Sequence, residues 1–186
     1  EVLARDLRFR AQFDRFADGN AAAVSVNDTN RSRSLSLLNV SEDRDRLRFR
    51  GRIGLNAKLD EHWSGGVRLT TGSSTDPLSA NQTLGTFNNR YTVLIDRAYV
   101  RFRYGDQFNA VAGRFGNPWF GTDLLWANDL SFDSIAAQWT PRFTSALRGF
   151  ATVAAMPVQE VELASADKWL FGAQVGATLA SSPQTI

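Results

Sequence analysis

Apolar and polar residues alternate with a period of two along almost the whole chain. From Leu47 to Leu59, positions Leu47, Phe49, Gly51, Ile53, Leu55, Ala57 and Leu59 are apolar or small. Between them stand the polar Arg48, Arg50, Arg52, Asn56 and Lys58. Successive side chains of a strand point to opposite faces, so this alternation predicts a long strand with one oily and one wet face. The same pattern covers Leu7 to Phe13, Trp63 to Thr70 and Trp169 to Leu179. Weaker versions run over Thr92–Tyr104, Gln107–Phe115, Phe132–Thr140 and Ser145–Ala154, which makes eight predicted strands.

The connections between them are 17–43, 60–61, 73–91, 105–106, 116–131, 141–144 and 155–167, alternating long and short. An outer-membrane barrel sorts its connections in this way, with short periplasmic turns and long external loops. The long segments are rich in Asn, Ser, Thr, Asp and Gly, as solvated loops are. Within the first of them, Leu35-Ser36-Leu37-Leu38 reads as a short helix or a plug-like piece.

Period two is shared by a soluble sandwich, a lipocalin-like barrel and a membrane barrel. Three features favour the membrane: the sorted loops, the length of the strands and the place of the aromatics. Strands of ten to thirteen residues match the ~9–11 of a tilted transmembrane strand rather than the ~5–6 common in globular domains. Trp63, Tyr104 and Trp139 fall on the oily parity beside short turns, and Trp169 at the far end of its strand. That is the distribution of an interfacial aromatic girdle. The predicted fold is therefore all-β, an antiparallel transmembrane β-barrel. Residues 1–186 would form a single barrel domain or the N-terminal portion of a larger barrel.

Charge sharpens this picture. The formal net charge is only +2, from 21 Lys+Arg and 19 Asp+Glu, yet the cations concentrate on the wet strand faces. A two-residue turn at Gly105-Asp106 would set Arg103 opposite Phe108, Arg101 opposite Ala110 and Arg97 opposite Arg114. Arg97, Arg101, Arg103 and Arg114 would then share a face. With Arg8, Arg10, Arg48, Arg50, Arg52, Lys58, Arg68 and Arg148 this makes twelve inward cations. Asp14 is the one carboxylate expected there, and Asp96 falls on the outer parity. An eight-stranded barrel is just wide enough to be filled with side chains, and dry unpaired cations are prohibitively costly. The wall needs either water, and hence a larger barrel, or loop acids folded inward. The last strand runs into a loop-like Ser181-Ser182-Pro183, which agrees with a partial barrel, while the opening at Glu1, with no initiator Met or signal-like segment, reads as a mature form or a missing start.

Several spaced motifs resemble the bacterial family of putative porins. They are the run from Asp43 to Leu55 (DRDRLRFRGRIGL), the run from His62 to Gly72 (HWSGGVRLTTG), Asn81-Gln82-Thr83-Leu84-Gly85, Ile95-Asp96-Arg97-Ala98-Tyr99-Val100 and Gly113-Arg114-Phe115. The resemblance spans roughly residues 43 to 140, with this chain resembling the N-terminal part of such a protein. It implies an outer-membrane β-barrel of more than eight strands in a Gram-negative bacterium, with no catalytic residue to carry over.

Other chemistry finds little support. With Cys 0 and His 1 there is no disulfide framework, thiolate site or imidazole cluster. His62 lies beside a short turn and there is no Gly-x-Ser-x-Gly, so an enzyme is not expected. Asp123, Asn128, Asp129 and Asp133 offer oxygen ligands, but their spacing matches no calcium loop. Neither a phosphate loop nor a nucleic-acid surface is expected, and no cofactor. Asn27, Asn30, Asn39 and Asn81 open Asn-x-Ser/Thr triplets that read as loop composition. The expected function is passive diffusion of small hydrophilic solutes, anions preferred, through a lumen lined by Arg48, Arg50, Arg52, Arg68, Arg97, Arg101, Arg103 and Arg114. The expected surroundings are outer-membrane lipid and such solutes, with a homo-oligomer or partner protein as further options. A barrel scaffold holding a partner or plug, or a soluble β ligand-binding domain, are the alternatives.

Overall fold

The computed structural model describes residues 2–18, 20, 41–121, 125–127, 129–162 and 166–179. Among these residues nine strands form one antiparallel sheet: β1 (Val2–Asp14), β2 (Arg44–Lys58), β3 (Trp63–Thr70), β4 (Gln82–Thr83), β5 (Leu94–Tyr104), β6 (Phe108–Gly116), β7 (Ser131–Trp139), β8 (Leu147–Gln159) and β9 (Lys168–Leu179). Their order is β1-β2-β3-β5-β6-β7-β8-β9, a pure meander. The addition is β4, a short strand in the long 71–93 connection that pairs with β2 through Arg48–Thr83 and Phe49–Gln82. It sits where β3 has ended, at Arg52–Thr70. Among the described residues β1 and β9 do not pair with each other. The sheet is thus an open arc, consistent with part of a larger barrel.

The expected strands are all present, with shifted ends. β1 starts at Val2 rather than Leu7, and β8 runs on to Gln159. The loop sorting holds for 59–62 against 71–93 and 105–107 against 117–130. It fades at the last pair, where 140–146 and 160–167 differ by one residue. Leu35–Leu38, Asn27, Asn30 and Asn39 lie outside the described residues.

Two expectations about facing are corrected. The β5–β6 loop closes over three residues, 105–107, with Gly105 at φ +57°. Tyr104, not Arg103, therefore faces Phe108, and Arg103 faces Asn109. The physical reason is that a one-residue slip moves a whole strand to the other face. The observed register keeps Tyr104, Phe108 and Trp139 in one cross-strand row. The expected one would have turned Phe108 among the arginines. The same shift sets Arg114 opposite Ala98 rather than Arg97, on the apolar parity. There it pairs with exposed Asp133 at 2.8 Å, near the loop end.

The second correction is Asp96. A bulge interrupts the β3–β5 ladder, which passes from Arg68–Arg97 to Leu69–Ile95. The extra residue is Asp96, and a bulge re-aims its side chain. Instead of facing outward, the Asp96 carboxylate lies among the arginines of β2 and β3.

Candidate functional site

The two faces of the sheet differ in what covers them. One carries Leu7, Phe9, Leu47, Ile53, Leu55, Val67, Ile135, Val153 and Val175, all exposed, with Phe9 at 72% and Val175 at 80%. A contiguous apolar face of this extent is foreign to a soluble monomer and is what a membrane barrel turns to lipid. A soluble sandwich would have buried it. Aromatics mark both ends. Trp63 packs on Phe102, with ring centroids 5.1 Å apart, and His62 stacks between Phe102 and Tyr104 at 5.8 and 5.9 Å. Trp139 ends the Tyr104–Phe108 row, while Trp169 stacks on Phe171 at the opposite end. His62, beside the short turn as expected, is half-buried in this aromatic row.

The polar face falls into three groups of cations. Arg8, Arg10 and Arg48 have neutral partners: Arg8 donates to Asn81, Arg10 to Gln12, and Arg48 to Gln12, Ser79 and the Asn81 carbonyl. Arg50, Arg52 and Arg68 are neutralised by carboxylates. Asp129 bridges two of them, one oxygen 3.2 Å from Arg50 and the other 2.9 Å from Arg52. Asp6 lies 2.6 Å from Arg50, and Asp96 lies 2.6 Å from Arg68 and 3.8 Å from Arg52. Arg46 pairs with Asp14. Arg97 stands beside this network and donates to Ser131 at 3.4 Å. The third group is Lys58, Arg101 and Arg103 near the short turns, with no ion-pair partner among the described residues.

The expectation of a single inward acid is therefore corrected. Asp6, Asp96 and Asp129 join Asp14, because β1 begins earlier, a bulge turns Asp96, and a loop folds inward. Folded-in loop acids are one of the two remedies the basic wall requires. The chain matches the family of putative porins over residues 2–186, well beyond the 43–140 stretch that carries its recognisable motifs. The chain belongs to that family. No curated protein matches it.

In this porin-family chain, the described part of the 117–130 segment packs on the polar face of β6–β9 through Pro118 to Phe120 and Trp126. The only buried apolar cluster among the described residues lies under it: Val111, Phe115, Ala136, Ala154 and Met156, with Tyr99, Trp119 and Phe132 packed around. Trp119 lies over Gly172, where a Cβ would sit 2.8 Å from its ring. Phe120 packs on Phe150 and Trp126 on Phe132, at 5.3 and 5.2 Å. The backbone is tied down as well. Phe120 N–H donates to Gln174 Oε1 at 2.9 Å, Gln174 Nε2 returns to the Phe120 carbonyl at 2.6 Å, and Gln138 donates to the Pro118 carbonyl at 2.7 Å. The polar face thus has an arginine sector over β1–β5 and an apolar sector over β6–β9. Sequence reasoning missed Asp6, Asp96, Asp129 and this inward segment. The cluster of aromatics in Trp119, Phe120 and Trp126, unusual for a solvated loop, was its available signal.

Of the oxygen ligands considered for a metal, Asp129 and Asp133 are engaged by arginines, and Asp123 and Asn128 lie outside the described residues. Partial burial pushes the Asp129 carboxyl up, but the Arg52 hydrogen bond and the charges of Arg52, Arg50 and Arg8 outweigh it and hold the group below its ordinary 3.8. A depressed pKa means that the tether is complete above that ordinary value and is lost as pH falls through the lowered one. Acidification to below pH 3.8 is therefore expected to loosen 117–130. Acrylamide quenching of Trp119 and Trp126, taken as the difference from a Trp119→Phe/Trp126→Phe chain, should rise only there. In Asp129→Asn it should be high at every pH.

Proposed function

We propose that this chain forms part of the wall of an outer-membrane channel for passive diffusion of small hydrophilic solutes, with anions preferred. The carrying observation is the division of the sheet: a bare apolar face for lipid, and arginines on the opposite face, where a hydrated lumen would lie. The channel performs no covalent chemistry in this reading, and the short turns stand on the periplasmic side. Arg8, Arg10 and Arg48, whose partners are neutral, contribute to the field together with Lys58, Arg101 and Arg103, whereas Arg50, Arg52 and Arg68 are offset by Asp6, Asp96 and Asp129. A positively lined constriction attracts anions and repels cations within about a Debye length, ~10 Å at 0.1 M salt.

The test is the reversal potential under a KCl gradient in planar bilayers, with the full-length protein. The wild type is expected to favour chloride, and Arg8→Ser/Arg10→Ser/Arg48→Ser to move toward non-selectivity while still folding, since the lipid face is untouched. A cation-selective or non-conducting wild type overturns the reading in favour of a barrel scaffold around a partner.

A further inference from the structure

The arginines of the polar face are not equivalent, and those near the short turns remain available to a ligand. Between the end of β2, the start of β3 and the end of β5 lies a cavity of about 400 Å³. Lys58, Arg101 and Arg103 line it together with Ser64 and Tyr99. Among the described residues, none of the three cations has a carboxylate within ion-pair reach, and the buried Arg101 Nε, like the Nε atoms of Arg46, Arg48, Arg50 and Arg52, has no hydrogen-bond partner. A buried donor without a partner is costly and calls for an acceptor.

The cavity is also built rather than accidental. Gly66 lets Tyr99 lie flat across β3: a Cβ there would sit 2.9 Å from the Tyr99 ring and hydroxyl. Tyr99 O–H donates to Asn56 Oδ1 at 3.2 Å, fixing the ring. The Arg101 guanidinium rests over that ring, 5.3 Å from its centroid, a favourable cation–π placement. Two acids stand at the rim. Asp60 accepts the backbone N–H groups of His62 and Trp63, both at 2.7 Å, and these hold its carboxyl below the usual range. Asp60 therefore stays ionised, and Asp60 and Glu61 set two negative charges at the rim against the three cations.

We propose that this cavity is a binding site for a small oxyanion, a carboxylate or phosphate, held by Arg101 and Arg103 with Lys58 adding charge. Guanidinium groups match the planar fork of such anions, and charge-assisted hydrogen bonds are the strong ones. The site rests on the channel reading only for its role, which would be a resting place for anionic solutes at the turn end of the passage.

The test uses inorganic phosphate and the full-length protein folded in detergent, with binding read from broadening of the phosphorus resonance. Wild type should bind. Arg101→Gln/Arg103→Gln should weaken binding by about tenfold or more, as for loss of charge-assisted bonds. Arg8→Gln/Arg10→Gln, which removes the same charge elsewhere on the face, should leave it nearly unchanged, and Glu61→Gln should strengthen it. No binding by wild type, or equal losses in the two double variants, overturns the site. Reversal potentials separate it from the channel reading. An anion-selective pore whose phosphate affinity ignores Arg101 and Arg103 sinks the site alone. Binding that depends on those arginines in a protein that does not conduct sinks the channel alone.

Discussion

Gly113→Ala is expected to prevent assembly of the sheet, whereas Gly51→Ala should assemble normally. Gly113 lies in the middle of β6, at φ +112°. An L-residue forced into so sparse a backbone region costs about 1–3 kcal/mol. The larger obstacle is space. A Cβ at Gly113 would sit 2.4 Å from the Ala98 carbonyl oxygen and 3.1 Å from the Tyr99 Cα. Both belong to the backbone of β5, so relief requires the β5–β6 ladder to part. Gly51, in contrast, would place a Cβ 3.6 Å from a Thr71 methyl, an ordinary contact. The measurement is heat-modifiable mobility on SDS gels without boiling, the common signature of a folded membrane barrel. Folded Gly113→Ala at wild-type yield would show that the β5–β6 contact is not as close as described.

Asp96→Ala should produce the second large effect, a loss of about 3 kcal/mol in urea unfolding from detergent. Removing one partner of a buried ion pair typically costs about 3–5 kcal/mol, because the remaining charge stays buried. A hydrated face puts this case at the lower end of that range. The Arg52 and Arg68 side chains are only 8% and 17% exposed, and Asp96 is the sole carboxylate paired with Arg68 among the described residues. Arg52 would keep Asp129. Asp96→Ala combined with Arg68→Met should recover most of the loss, since replacing both charges leaves none stranded. If the single variant unfolds like wild type, the bulge does not direct Asp96 inward.

Much of the architecture was legible in the chain. Alternation at period two is a direct consequence of strand geometry, so Leu47 to Leu59 announced its own strand and its own oily and wet faces before any partner was known. The length of these runs and the aromatics Trp63, Tyr104, Trp139 and Trp169 set the class of barrel for the same reason: they are properties of one strand against its surroundings. Family motifs agreed because they are written in the same local terms.

The charge balance of the wall was decided only in three dimensions. Strict parity places Asp96 outward, and one bulged residue reverses it. Parity also cannot choose between a two- and a three-residue turn, and the longer one carried Arg114 to the opposite face from Arg97. Asp129 meets Arg52 across 77 positions of sequence, a contact made by the path of the 117–130 segment, not by any periodicity. The division of the cations follows from the bulge at Asp96, the inward path of Asp129 and the early start of β1 that brings Asp6 to Arg50: Arg50, Arg52 and Arg68 neutralised, Lys58, Arg101 and Arg103 left open. A strand's sequence determines which way its side chains point, because that is settled every two residues. Which opposite charge arrives there depends on loops and bulges, whose geometry is fixed by packing against the finished sheet.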